Sequence, residues 1–207
     1  MDSYKTIAQD TRIQRKIKKC KFITSIKNVT TVSEAENFIE RIGREFSDAT
    51  HNVYAFKIGL ADKAVTRSSD DGEPSGSSGP PALKAIEGKG LTNVAVVVTR
   101  YFGGVKHGVG GLIRAYGDSV REAIVEAEVV KKIRYIKLAV EVSYDMMGKV
   151  INDLEGSAGK IKDTEYTNDR VRIIAVLKPS SIDNFKRRIK EETKGEAEFE
   201  RIKEVFI

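Results

Sequence analysis

The chain has 207 residues, of which 40% are hydrophobic and 32% charged, with four prolines and a net charge of +6 at pH 7. This length exceeds the commonest size of one domain, and the balanced composition excludes disordered and collagen-like chains. The single cysteine excludes an internal disulfide and cysteine-rich zinc sites, and the apolar runs are too short to cross a bilayer, so we expect a cytoplasmic protein with no membrane partner.

The predicted elements begin with a basic segment. Residues 2–19 are polar, and Ile7, Ile13 and Ile17 lie at loose helical spacing, which predicts a weakly anchored N-terminal helix. Residues 12–21 hold six lysines and arginines and no acid. Such a run attracts polyanions through its positive field, and the alternative is a solvated basic arm.

The region up to residue 130 alternates strand and helix patterns. A capping box at Ser33–Glu36 predicts the start of the first helix. The run Asn93–Thr99 is almost wholly apolar, which is typical of a strand at the centre of a sheet covered on both faces. A long amphipathic helix follows from Leu112 to Ala127. The strands predicted here are 22–26, 53–60, 64–68 and 93–99.

The pattern restarts near residue 135 as strand, helix, two strands, helix and strand. This βαββαβ order is that of the ferredoxin-like unit. Ser180 and Asp183 form the predicted capping pair of its second helix. We therefore predict an α+β chain with a basic segment at 1–19, a first domain at 20–133 and a ferredoxin-like domain at 134–207. Residues 1–133 carry 21 basic against 16 acidic side chains, and residues 134–207 carry 15 against 14.

Residues 69–79 form the first irregular segment with chemical content. Asp70, Asp71 and Glu73 place three carboxylates within four residues. They make tight turns or an interaction loop, hold a hard cation through oxygen ligands, or supply a carboxylate pair for acid–base work. His51 precedes a strand, where a structural histidine is typical. No G-x-S-x-G elbow supports a catalytic triad, and no catalytic residue is assigned.

Residues 99–116 form the second such segment, in which a buried strand leads into a glycine-rich loop that opens a helix. Free backbone N–H groups and the helix dipole attract anions at such a place. The aromatic pair at 101–102 stacks on a nucleobase or belongs to the core. Neither standard nucleotide-binding glycine fingerprint is present, and the glycines serve tight packing in the alternative. The candidate anion-binding residues are Arg100, Tyr101, Gly103, Gly104, Lys106, His107 and Arg114.

Three motifs in this region resemble the signature of the YigZ/IMPACT family. They are Asp-Asp-Gly-Glu-Pro-Ser-Gly at 70–76, Val-Thr-Arg-Tyr-Phe-Gly-Gly at 98–104 and Gly-Gly-Leu-Ile-Arg-Ala-Tyr at 110–116. The resemblance spans about residues 20–130, and the βαββαβ piece resembles the second domain of the bacterial branch. It implies a first domain of the ribosomal protein S5 domain 2-like type, with helices on one face of its sheet. The domain pair is similar to domains IV and V of elongation factor G.

The resemblance also implies a function. It points to nucleic-acid or ribosome contact in translational control, with Arg100, Lys106 and Arg114 on the binding surface and His51 and Asp71 nearby. We therefore predict a non-enzymatic regulator that binds RNA or the ribosome without a cofactor. His107 stands where the family more often has leucine, so no role is inherited there. The alternatives are a regulator that binds a translation-control protein through residues 69–79, and an enzyme that uses the same acidic loop on a phosphorylated or nucleotide substrate.

Overall fold

The structure is a computed structural model that describes residues 2–207. The chain divides into two compact units, Tyr4–Lys131 and Lys132–Ile207, the latter joined by the N-terminal residues up to Ser3. Both units contain helices and strands, so the predicted α+β class is confirmed. Among the described residues, no helix combines the length and apolar character that a bilayer crossing needs.

The first unit is built on an antiparallel sheet with strand order β2-β3-β6-β4-β5. The central strand is the valine-rich run, whose residues 94–100 are all buried, as predicted. The elements are β1 (Ser3–Ile7), β2 (Thr11–Ile17), β3 (Cys20–Asn28), α1 (Val32–Glu45), β4 (His51–Ile58), β5 (Val65–Ser69), α2 (Gly79–Gly88), β6 (Val94–Tyr101) and α3 (Val109–Glu126).

Helices cover both faces of this sheet. Val94, Val96 and Val98 belong to the core formed with α2 and α3. Ala95 and Val97 point to the opposite face and pack in the core formed with α1. The expectation that helices lie on one face is therefore wrong, and the expectation of a doubly covered valine strand is confirmed. An apolar run buries both sets of side chains only if both faces are covered.

The predicted N-terminal helix is wrong, because this segment forms β1 and β2. Ile13 and Ile17 are four residues apart, a spacing that suits one face of a helix and one face of a strand equally well. On β2 they share a face with Arg15, while Lys16 is exposed on the other. Antiparallel pairing with β3 along the whole of β2 decides between the two structures.

Two helix starts differ from the predicted ones. The Thr31 hydroxyl caps α1 by accepting the Glu34 N–H at 3.2 Å, so the cap lies two residues before the predicted box at Ser33–Glu36. Thr31 and Glu34 have the same three-residue spacing, so the sequence contains both boxes. The helix α5 (Pro179–Glu192) follows Lys178, and Ser180 donates to Asp2 instead of forming the predicted pair with residue 183.

The second unit has the predicted ferredoxin-like topology. Its strands run antiparallel in the order β10 (Glu198–Phe206), β7 (Val129–Ser143), β9 (Arg170–Leu177) and β8 (Lys160–Tyr166). Both helices cover one face, where Phe185 of α5 packs in one core with Leu138, Val140 and Ile173 of the sheet. Besides α5, the elements are β7 (Val129–Ser143), α4 (Met147–Gly156), β8 (Lys160–Tyr166), β9 (Arg170–Leu177) and β10 (Glu198–Phe206).

Candidate nucleic-acid interface

Arg100, which was predicted to lie on a binding surface, is buried. Its residue exposure is 4%, and its Nη1 donates to Glu73 Oε1 at 2.5 Å. The carboxylate of Glu73 is equally buried, at 8% exposure for the residue. The structure thus corrects the sequence interpretation: Arg100 is a buried ion-pair partner. A counter-ion 27 residues away along the chain is not visible in a sequence pattern.

The pair joins the three sequence motifs into one buried network. Tyr116 on α3 donates its hydroxyl to the same Glu73 oxygen at 2.7 Å, while Arg100 approaches from β6. Burial, together with the hydrogen bond to the negative charge of Glu73, raises the pKa of Tyr116 far above its ordinary value. The phenol therefore remains a hydrogen-bond donor. An ion pair out of water holds its geometry only when further hydrogen bonds satisfy it, as Tyr116 does here.

The network continues beneath the glycine loop. Arg100 Nη2 lies 3.5 Å from Cys20 Sγ and 3.4 Å from His107 Nδ1, and the Gly103 N–H donates to Cys20 Sγ at 3.3 Å. Burial lowers the pKa of His107, and the charges of Arg100 and Lys18 lower it further. His107 is thus neutral at pH 7. Its ring is directed to the interior cluster, which corrects its predicted part as an anion contact.

Gly103 brings the loop against the turn between β2 and β3. A Cβ at this position would lie 1.8 Å from the carbonyl oxygen of Lys19, so any side chain would force the two segments apart. We call residues 16–21 the hairpin tip and residues 104–111 the glycine loop. The close approach at Gly103 makes them neighbours on one surface.

This surface carries cations without acidic partners. Six basic side chains of this surface make no ion pair within 4.0 Å among residues 2–207. Arg12 and Arg15 on the same hairpin, in contrast, pair with Glu45 and Glu122. All six side chains are exposed. We call this set the basic rim; it consists of Lys16, Lys18, Lys19, Lys21, Lys106 and Arg114.

The glycine loop adds backbone donors to the rim. Within the described part of the chain, the N–H groups of residues 104–111 have no hydrogen-bond acceptor. Gly108 is the N-cap of α3 and has no side chain to cap the first turn, and Val109 is 54% exposed. Arg114 Nη1 lies 4.0 Å from the Cβ position of Gly110, beside this helix end. Exposed N–H groups at the positive end of a helix are suited to phosphate oxygens.

Tyr101 does not offer a free ring. Its hydroxyl donates to Asp48 at 2.7 Å, and the ammonium of Lys21 lies 5.3 Å from the ring centre. The hydrogen bond to the Asp48 carboxylate raises the pKa of Tyr101. Tyr101 therefore orders the edge between β3 and β6, and holds Lys21 at the rim.

The acidic loop is held together by its own donors. Asp70 accepts the N–H groups of Gly76, Ser78 and Gly79 and the Ser78 hydroxyl, all between 2.7 and 2.9 Å. Burial alone would raise the pKa of Asp70, but these hydrogen bonds outweigh it and lower the pKa. In the described chain, no three His, Cys, Asp or Glu side chains cluster as metal ligands would.

His51 and Asp71 fix the acidic loop to β4. His51 Nδ1 donates to the Asp71 carbonyl oxygen at 2.7 Å, so Nδ1 carries a proton, and Asp71 Oδ2 accepts the Asn52 N–H. His51 Nε2 faces Glu73 Oε2 at 3.9 Å. The sequence therefore identified residues that meet in space. It did not identify Tyr116 and Cys20 as their partners, because the sequence pattern predicts ordinary core positions for both.

Comparisons with known proteins agree with this architecture. The Impact N-terminal domain model matches residues 18–124, and the elongation factor G C-terminus model matches residues 135–204. These matches support the predicted S5 domain 2-like and ferredoxin-like pair.

Relatives cover most of the chain. The IMPACT family member YvyE of Bacillus subtilis is 35% identical over 96% of this chain and 90% of its own length. The IMPACT family member YigZ of Escherichia coli is 32% identical over 80% of this chain and 82% of its own. A crystal structure of a hypothetical protein, 28% identical, superposes with a TM-score of 0.65 over 98% of each chain.

Proposed function

This chain belongs to the IMPACT family, and from that premise we propose that it is a translation-related regulator that binds RNA, free or within the ribosome, without catalysing a reaction. The basic rim and the glycine loop are the proposed contact surface. The likeness of the second unit to the C-terminus of elongation factor G supports a partner in translation.

One observation carries the proposal. A run of backbone N–H groups without acceptors, at residues 104–111, lies beside cations that have no acidic partner. A merely solvated basic face normally interleaves both signs of charge, as the surface of a stable domain does. Phosphate oxygens satisfy free N–H groups and free cations together, so a polyanion is the ligand that this surface fits.

In this proposal the acidic loop is neither a metal site nor a catalytic site. Asp70, Asp71 and Glu73 are each engaged by donors of the protein itself. No observation therefore favours their use as metal ligands or as catalytic bases. In the proposal the loop has a positioning role, since Glu73 holds Arg100 beneath the glycine loop.

The test is the salt dependence of RNA binding by two matched variants. Lys16→Gln/Lys19→Gln/Lys106→Gln removes three rim charges while it keeps the side-chain stems. Lys160→Gln/Lys162→Gln/Lys190→Gln removes three exposed, unpaired charges from the second unit and is the control. Each phosphate contact to a single strand contributes about 0.7 to the slope of log K against log salt. The rim variant should thus lose about two units of slope, and the control should lose none.

Titration of labelled RNA at several salt concentrations gives these slopes. Co-sedimentation with ribosomes compares the rim variant and the control for binding to RNA within the ribosome. Equal slopes for the rim variant and the control would overturn the proposed function.

A further inference from the structure

One aromatic ring stands open to solvent in the middle of this surface. Phe102 directly follows β6, between Tyr101 and Gly103, and is 46% exposed. A single exposed apolar side chain is ordinary on a protein surface. Phe102 differs because its position is fixed from several directions, and because it lies between Lys21-contacting Tyr101 and Gly103, which packs against Lys19 of the hairpin tip.

The ring is supported from below by a buried cation. The guanidinium of Arg100 lies between two rings, with its Cζ 5.6 Å from the centre of Phe22 and 5.5 Å from the centre of Phe102. Glu73 compensates the charge of Arg100, so the stack does not depend on solvent. The guanidinium thus lies over the Phe102 ring, and 46% of the residue still remains exposed.

The backbone on either side of the ring is also fixed. The Phe102 N–H donates to the Thr50 hydroxyl at 3.0 Å. Gly103 is held against Lys19 with no room for a side chain, and its N–H donates to Cys20. A ring attached to such a backbone binds a flat partner at little cost in conformational entropy.

The surroundings decide which flat partner fits. The hairpin tip contacts Gly103 through Lys19, and the glycine loop begins two residues after Phe102, so lysines and free N–H groups that suit phosphates lie in the neighbouring segments. In a duplex the base faces are stacked inside, so a side chain stacks only on unpaired bases. We propose that Phe102 is the stacking platform for an unpaired nucleobase, and that the RNA bound here is single-stranded. This inference rests on the proposed function and adds its substrate class.

Tyr101 is not an equivalent platform, since it is partly buried and its hydroxyl is bonded to Asp48, whereas Phe102 is exposed. The alternative is a purely structural role, in which Phe102 only shields Arg100 from water. That shielding needs apolar bulk, whereas stacking needs an aromatic face, so leucine and tryptophan at this position separate the two roles.

The experiment measures the affinity of three probes for the wild-type chain, Phe102→Leu and Phe102→Trp. The probes are a single-stranded oligoadenylate, an abasic ribose-phosphate oligomer of equal length, and an RNA duplex. Loss of one stacked base lowers affinity by about tenfold. Phe102→Leu should show this loss for the oligoadenylate alone, and Phe102→Trp should bind it at least as tightly as wild type. The tryptophan variant keeps the test valid if leucine impairs folding.

The outcomes separate the two proposals. If Phe102→Leu binds oligoadenylate like the wild type, or loses affinity equally for the abasic oligomer, the stacking platform is wrong while polyanion binding stands. If the wild type binds none of the three probes, the proposed function fails as well. The Lys16→Gln/Lys19→Gln/Lys106→Gln variant should weaken all three probes, which marks the charge contribution separately.

Discussion

Two charged regions of the molecule use opposite arrangements. In the first unit, the basic rim has no acidic partner among residues 2–207. In the second unit, the sheet face turned away from α4 and α5 carries Arg170 and Arg172, each surrounded by glutamates. Arg170 contacts Glu198 at 2.6 Å and Glu141 at 3.6 Å. Arg172 contacts Glu165 at 3.5 Å and also pairs with Glu200.

Strand register produces the difference. In the second unit, Glu141 and Glu165 lie directly opposite Arg172 on the two neighbouring strands, so cross-strand pairs neutralise each other. In the first unit, Lys16 lies directly opposite Lys21 across β2 and β3. The number of cations therefore says little about ligand binding. Their pairing partners decide whether a basic region remains available to a polyanion.

The largest expected effect is a loss of stability when the buried partner of Arg100 is removed. Arg100 is the one cation of the glycine-rich segment with a buried acidic partner. Glu73→Ala leaves that charge uncompensated and should lower the free energy of unfolding by about 3–5 kcal/mol. Glu36→Ala removes an exposed pair with Arg67 and should cost about 0–1 kcal/mol. Urea unfolding followed by circular dichroism measures both; similar losses would contradict the distinction between buried and exposed pairs.

The second effect tests whether the rim is one surface. Gly103→Ala inserts a methyl group into the contact with Lys19, and overpacking of this kind costs about 1–3 kcal/mol. It should also reduce RNA affinity, because the hairpin tip moves away from the glycine loop. Gly43→Ala on α1, where a Cβ meets nothing within 4 Å, is the control outside the proposed contact surface. Equal affinity of both variants would show that the tip and the loop act independently.

The third effect is a gain of binding in the second unit. Glu141→Gln/Glu198→Gln/Glu200→Gln removes three of the four carboxylates around Arg170 and Arg172. Introduced together with the three rim substitutions, it should restore part of the lost RNA affinity, because Arg170 loses both carboxylate partners and Arg172 keeps only Glu165. The readout is the same salt titration. If RNA affinity does not recover, ion pairing with the glutamates does not determine whether this face binds RNA.

The smallest effect concerns acid. The pKa of His107 is lowered in the folded chain, so the folded state binds fewer protons than the unfolded state below the unfolded value of about 6.5. Stability is unaffected above that pH and should fall as the pH drops through it. His107→Leu should abolish this part of the pH dependence. Thermal midpoints of both proteins at neutral and acidic pH measure it, and parallel pH curves would refute it.

Much of the fold follows from local patterns. The valine run of β6 and the βαββαβ order were predictable because each depends on hydrophobic periodicity within one segment. β2 was not, because Ile13 and Ile17 satisfy two periodicities and pairing with β3 decides the structure. Local propensity is a weak prior when a partner strand is available.

The candidate site was predictable in its location and not in its contacts. The glycine loop, Lys106 and Arg114 lie on the surface, as their residue types suggest. Arg100 is buried because Glu73 approaches it from a distant loop, and a sequence pattern does not contain that contact. Phe102 was visible as an aromatic residue. Its support by Arg100 depends on three-dimensional packing.

The opposed lysines of the hairpin have a consequence for the unbound protein. Lys16 and Lys21 repel each other across the strands, and added salt screens this repulsion, so ionic strength should stiffen the free hairpin while it weakens attachment of a polyanion. The two responses to salt have opposite signs in one element. An occupied hairpin is thus expected to become less mobile than an empty one, with its repulsion relieved by the ligand that it holds.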